Sequence, residues 1–184
     1  MIDSRTLNAM RRLKTEYDGL FQNLNLTNNL GVGFALINSD DIFNWRLDYI
    51  GPRDTPYSGG LFMVLMHFPN DYPNHPPEVT FKTPIYHLNV NPRRNDTDPL
   101  GKVCLSILNR WQPTYKIEDI LVSIFALFYM VNPESPYGLE RGNEYKNNRS
   151  LYEKKIKYYT SIYAAPNRDI IREFHNEWDF SHNP

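Results

Sequence analysis

The sequence predicts an α+β fold: an N-terminal helix, a four-stranded antiparallel meander, a long irregular segment and then C-terminal helices. Three observations carry this reading. Apolar residues recur at steps of three and four near both ends of the chain. Between them lie short runs rich in Val, Ile, Phe, Trp and Tyr, separated by turn residues. From Pro84 to Thr114 neither pattern persists.

The first helix is marked by Leu7, Met10, Leu13, Tyr17 and Leu20 with Phe21, and Asp3 or Ser4 can cap it. Its other face carries Arg5, Arg11, Arg12 and Lys14, which taken alone reads as a solvated face. Asn28, Asn29 and Gly31 are expected to break the pattern. Residues 32–37, 42–50, 61–68 and 78–82 then read as strands. The first three are joined by connections too short for a parallel crossover, which needs about a dozen residues or more, so neighbours are antiparallel. The strap from Pro69 to Pro77 holds four prolines in nine residues, which excludes helix and central strand. The aromatic before Pro73 makes a cis bond there plausible.

An irregular stretch as long as residues 84–114 inside a compact domain is usually functional or disordered. Two helices are expected after it. Ile117, Ile120, Leu121, Ile124, Phe125 and Phe128 mark one. Leu151, Tyr152, Lys155, Ile156, Tyr159, Ile162 and Tyr163 mark the other, which Pro166 stops. Residues 169–178 suit a short tail helix, so the chain divides into a domain over residues 1–166 and a tail over 167–184.

The bulk numbers exclude several classes. At 184 residues and 41% hydrophobic, the chain suits one domain with a real core. A net charge of −1 argues against a sequence-independent grip on nucleic acid. The longest apolar run, residues 120–131 broken by Ser123, is too short to cross a bilayer core of ~30 Å and reads as a buried core helix. The N-terminus lacks the apolar stretch of a signal peptide. A single cysteine permits no internal disulfide and fits a reducing compartment, so a cytoplasmic or nuclear location is expected.

The lone Cys104, between Val103 and Leu105, reads on its own as a buried structural residue more readily than as a nucleophile. His87 upstream invites a Cys–His hydrolase reading, but no oxyanion turn or third triad member accompanies it. The wider order of motifs is more specific. Asp41-Ile42-Phe43-Asn44-Trp45 leads to the segment from Gly51 to Phe62, then to the proline strap and Ile85-Tyr86-His87-Leu88-Asn89. Gly101-Lys102-Val103-Cys104-Leu105-Ser106-Ile107-Leu108, Trp111-Gln112-Pro113 and Asn132-Pro133-Glu134-Ser135-Pro136 follow. In this order, over roughly Leu7 to Ala164, the chain resembles the ubiquitin-conjugating enzyme family.

The resemblance implies the ubiquitin-conjugating fold and a thioester-forming role for Cys104. It implies that Asn89 is the family's active-site asparagine, that His87 braces the turn, and that Ser135 stands beside the nucleophile. Arg11, Arg12, Pro113 and Thr114 fall where the family meets activating enzymes and ligases. The implied partners are ubiquitin or a relative such as SUMO, an activating enzyme, a RING or HECT ligase and a substrate lysine. Neither a metal nor a bound cofactor is implied, because the upstream activating enzyme spends the ATP. A non-catalytic variant that keeps the fold and guides a partner remains open.

The chemistry suits such a site. A thioester keeps a carbonyl activated, and a thiolate both attacks and leaves well. The incoming lysine has a reference pKa near 10.4, so only roughly one in two thousand is neutral at pH 7 and the site must orient or deprotonate it. Ser135 offers a hydrogen bond but no carboxylate charge.

The chain departs from the family pattern in three places. Leu88 stands where proline is usual, which restores a backbone donor, frees φ and predicts a looser turn. Residues 91–100 form a polar, proline-flanked insert, expected as an exposed loop beside the site. Asn74 stands where many members carry a large apolar ligase contact.

Overall fold

The computed structural model of the chain describes residues 2–93 and 98–166. Helix α1 spans Ser4–Gln22 and is capped by Asp3, whose carboxylate accepts the Arg5 and Thr6 N–H groups at 2.8 and 2.9 Å. Ala9, Leu13 and Leu20 are its buried residues, while Leu7 and Phe21 are exposed. The apolar stripe is therefore narrower than its period suggests.

Asn28 and Asn29 do not break the chain. They lie inside a second helix, α2 (Leu24–Leu30), and the interruption falls at Asn23 instead. Asn23 closes α1 with its N–H and caps α2 through its side chain, which accepts from Leu26 N. Gly31 ends α2 with φ of 57°, a left-handed conformation that glycine adopts without steric cost.

The sheet is an antiparallel meander, β1 (Val32–Leu36), β2 (Asn44–Ile50), β3 (Leu61–His67) and β4 (Glu78–Phe81), in that spatial order. Alternation selects one inner face. Trp45, Leu47 and Tyr49 on β2 pair across to Met66, Val64 and Phe62 on β3, and all six are buried. Val79 and Phe81 continue that face on β4, opposite Met66 and Val64. The β2–β3 connection folds back tightly. A Cβ on Gly51 would lie 1.9 Å from the Tyr57 carbonyl oxygen, so no larger residue fits there.

The strap carries the cis bond, at Tyr72–Pro73. Beyond it lie a short helix α3 (Ser106–Asn109), then α4 (Ile117–Ala126), α5 (Leu139–Asn147) and α6 (Arg149–Tyr163). Ile117, Ile120, Leu121 and Ile124 of α4 are buried, and Tyr49 donates its hydroxyl to the Leu121 carbonyl at 3.0 Å, locking α4 to the sheet. The apolar run does not continue as helix to Val131. It stops at Ala126, and Tyr129 and Met130 are exposed. The departure turns the Leu127 carbonyl toward His87. Helix α5 was not predicted, and the tail helix expected over residues 169–178 lies outside the described residues. No helix among the described residues is long and apolar enough to cross a membrane.

Candidate active site

Cys104 sits at the end of an isolated bridge between Val90 and Val103, just before α3. Its N–H donates to the Asn89 carbonyl at 2.9 Å, so the thiol and the asparagine share one fixed stretch of backbone. The sulfur is half-exposed. Two polar groups face it, Ser135 Oγ and Asn109 Nδ2, each at 3.5 Å. A sulfur reached by solvent and by hydrogen-bonding groups is placed to react, unlike a thiol sealed in apolar surroundings.

Asn89 is fully buried. Its Nδ2 donates to the carbonyls of Asn132 and Ser135, both at 2.8 Å, and its Oδ1 accepts from Asn132 N at 2.7 Å. Both amide hydrogens are thus engaged. The side chain staples the 132–135 loop against the nucleophile, and that loop brings the Ser135 hydroxyl to Cys104.

His87 is also fully buried. Its Nδ1 accepts from Asn89 N at 2.9 Å and its Nε2 stands 3.0 Å from the Leu127 carbonyl. Those partners require a neutral ring with its proton on Nε2. Burial pushes the ring down to about 4, against the carbonyl hydrogen bond and with the Arg141 guanidinium adding to the fall.

Leu88 does not loosen the turn. It is fully buried, its N–H donates to the Tyr152 hydroxyl at 2.9 Å, and its carbonyl accepts from Tyr137 N at 2.8 Å. The donor that a proline would lack has found an acceptor. The insert is not wholly exposed either. Asn91 is buried, with its Nδ2 near the Asp98 and Pro99 carbonyls at 3.2 and 3.1 Å. Asp98 in turn meets Lys102 Nζ at 2.5 Å. The base of the loop is therefore clamped beside the nucleophile.

A half-exposed thiol, a buried asparagine and a bracing histidine are thus brought together beyond the meander, where the bond from Cys104 N–H to the Asn89 carbonyl and the Val90–Val103 bridge join two segments of the chain. Residues 12–160 match the family model described as ubiquitin-conjugating enzyme. The chain belongs to the ubiquitin-conjugating enzyme family. A curated relative, the probable ubiquitin-conjugating enzyme E2 31 of Arabidopsis thaliana, is 40% identical over 128 residues, which cover 69% of this chain and 79% of that protein.

On this ubiquitin-conjugating enzyme the residues expected at partner surfaces fall as follows. Arg11 is exposed on α1. Arg12 is held inward, paired with Glu16 and donating to the Tyr115 carbonyl at 3.1 Å. Glu16 also accepts from Tyr72 Oη and from Ile117 N, at 3.1 and 2.6 Å, so this cluster ties α1 to the strap and to the start of α4. Asn74, Pro113 and Thr114 are exposed. Trp111 joins their two segments, its indole N–H donating to the Pro73 carbonyl at 2.7 Å.

Four residues at the site went unread in the sequence: Asn109, Tyr137, Arg141 and Tyr152. Only Leu88 offered a signal, because a restored N–H in a buried turn must find an acceptor.

Proposed function

We propose that this ubiquitin-conjugating enzyme accepts ubiquitin from an activating enzyme as a thioester on Cys104 and passes it to a substrate lysine or a ligase cysteine. The observation that carries the reading is the half-exposed lone thiol beside the Asn89-stapled loop, with Ser135 Oγ and Asn109 Nδ2 at its sulfur. In the first step the Cys104 thiolate attacks the modifier's thioester carbonyl, and the activating enzyme's thiolate leaves. In the second a lysine amine attacks the new thioester, Cys104 leaves as thiolate, and the amine loses its proton to solvent or a nearby acceptor. Attack and departure both suit a thiolate, and ATP has been spent before the modifier arrives.

Asn89 supports the second step by holding the loop rather than by aiming a free N–H, since both amide hydrogens already face carbonyls. Asn74, Pro113 and Thr114, exposed and joined through Trp111, suit the docking of a RING or HECT ligase. Incubation with ATP, activating enzyme and ubiquitin tests the reading. A reductant-sensitive adduct on Cys104 is expected. An adduct with SUMO alone would assign another modifier, and no adduct with any modifier would make the chain a binding variant of the fold.

A further inference from the structure

From the His87 carbonyl to the Asn89 carbonyl, every backbone polar group has a partner. The His87 carbonyl accepts from Arg141 Nη1 at 3.1 Å, and Leu88 N–H donates to Tyr152 Oη at 2.9 Å. The Leu88 carbonyl accepts from Tyr137 N at 2.8 Å, Asn89 N–H donates to His87 Nδ1 at 2.9 Å, and the Asn89 carbonyl accepts from Cys104 N at 2.9 Å. Two of these partners, Arg141 on α5 and Tyr152 on α6, are side chains far along the chain that touch no reacting atom. Both are buried, at 7% and 1% exposure.

Their surroundings fix them. The Arg141 guanidinium lies 4.3 Å from the centre of the Tyr86 ring. Tyr86 donates its hydroxyl to Glu144 at 2.5 Å, and Glu144 pairs with Lys155 of α6 at 2.7 Å, both side chains nearly buried. Tyr86 and Tyr145 pack on the Tyr152 ring, with centroids 5.4 and 5.3 Å away. Charged groups buried this far are costly to place unless paired, and here they are paired around the residue that precedes His87.

We propose that Tyr152 and Arg141 are positioning residues of the active site, which set the 87–89 turn and through Asn89 the loop that faces Cys104. This inference rests on the thioester reading above. Tyr152 supplies an acceptor where the chain has a backbone N–H to satisfy, and Arg141 holds the neighbouring carbonyl from the other side. The phenol and the guanidinium fix one peptide unit from both ends, so the Asn89 amide plane and the Asn132 and Ser135 carbonyls keep their alignment. Lysine discharge demands that alignment. Charging of the exposed sulfur demands it less.

Tyr152→Phe tests the proposal, because it removes the acceptor and keeps the ring. The variant should charge with ubiquitin within about threefold of wild type and discharge to free lysine about tenfold more slowly. A merely structural role would be unaffected by a second change, Leu88→Pro, which deletes the N–H left without an acceptor. In the Tyr152→Phe background that change should restore discharge to within a few-fold of wild type. Amide hydrogen exchange at Leu88 in the uncharged protein should be at least tenfold faster in Tyr152→Phe, and this readout needs no modifier. Wild-type discharge, unchanged Leu88 exchange, or a defect that Leu88→Pro leaves intact would each overturn the proposal. Failure of the wild-type chain to charge would instead overturn the thioester reading, and Leu88 exchange would still decide the positioning.

Discussion

The side-chain amide of Asn89 donates to the main-chain oxygen of Ser135 at 2.8 Å. The same serine holds its hydroxyl 3.5 Å from the Cys104 sulfur. One asparagine therefore sets the distance between the nucleophile and its nearest hydroxyl. Asn89→Ala leaves the Asn132 and Ser135 carbonyls and the Asn132 N–H without their partner at a part-buried site, and losing such hydrogen bonds costs on the order of 0.5–1.5 kcal/mol each. The variant should melt several degrees lower, still charge, and discharge to free lysine roughly a hundredfold more slowly. Asn89→Asp should fare no better, because a carboxylate cannot donate to either carbonyl. Single-turnover discharge followed beside thermal melting checks this. A slow variant with an unshifted melting point would return Asn89 to a direct role at the reacting carbonyl.

Cys104 is the chain's single thiol. Cys104→Ala should form no adduct. Cys104→Ser should charge slowly, if at all, to an ester that reductant does not cleave, since an oxygen nucleophile is weak without a neighbouring base. Gel analysis with and without reductant distinguishes the two. A labile adduct on Cys104→Ala would remove the residue from the mechanism.

His87 links stability to acid. In the folded chain the ring stays neutral down to about 4, whereas in the unfolded chain it takes up a proton near 6.5. Between those values the unfolded state binds more protons, so stability rises with pH through the window and falls as pH drops through it. Above the window the ring contributes no slope. The full difference is on the order of 3 kcal/mol. Denaturant unfolding from pH 7 to pH 4 should show this loss in wild type and a shallower slope in His87→Gln. Equal slopes would mean that another group carries the acid sensitivity.

The insert is anchored at its base by Asn91, Asp98 and Lys102. Removal of residues 93–97 leaves those anchors in place, and loop length enters stability only logarithmically. The melting temperature should stay within a few degrees, while discharge rate shifts because the clamped base borders Cys104. Asn91→Ala, which frees the base itself, should lower the melting temperature more than the deletion does. The reverse ranking would make the loop's outer residues part of the core.

Much of the fold was legible. The four strands, the first and last helices and the strap follow from alternation, period and proline, because in those elements apolar burial decides the structure. Helix α2 was hidden by Asn28 and Asn29, whose turn preference is overridden once Asn23 caps one end and Gly31 closes the other. Helix α5 was hidden for a different reason. Its buried residues are Arg141 and Gly142, while Leu139 is 82% exposed, so an apolar period has nothing to find. At the site, family motifs located Cys104, Asn89, His87 and Ser135 along the chain. They carried no information about Tyr152, whose contact answers a residue, Leu88, at which this chain departs from the motif, or about Arg141, whose bond runs to the main-chain carbonyl of His87 and so to no side chain a motif records.

The bond between the Trp111 indole and the Pro73 carbonyl has a practical consequence. Indole emission moves with the water around the ring. Trp45 is sealed in the core, its N–H held by the Ile42 carbonyl, so its spectrum stays constant while the fold is intact. Trp111 is only half-covered and sits between Tyr72 and Tyr115, next to the exposed Pro113 and Thr114. With Trp178 replaced by phenylalanine, any molecule that covers Pro113 shifts the colour of one ring against a steady background. The chain carries its own optical gauge of what lands on that surface, free of any attached dye.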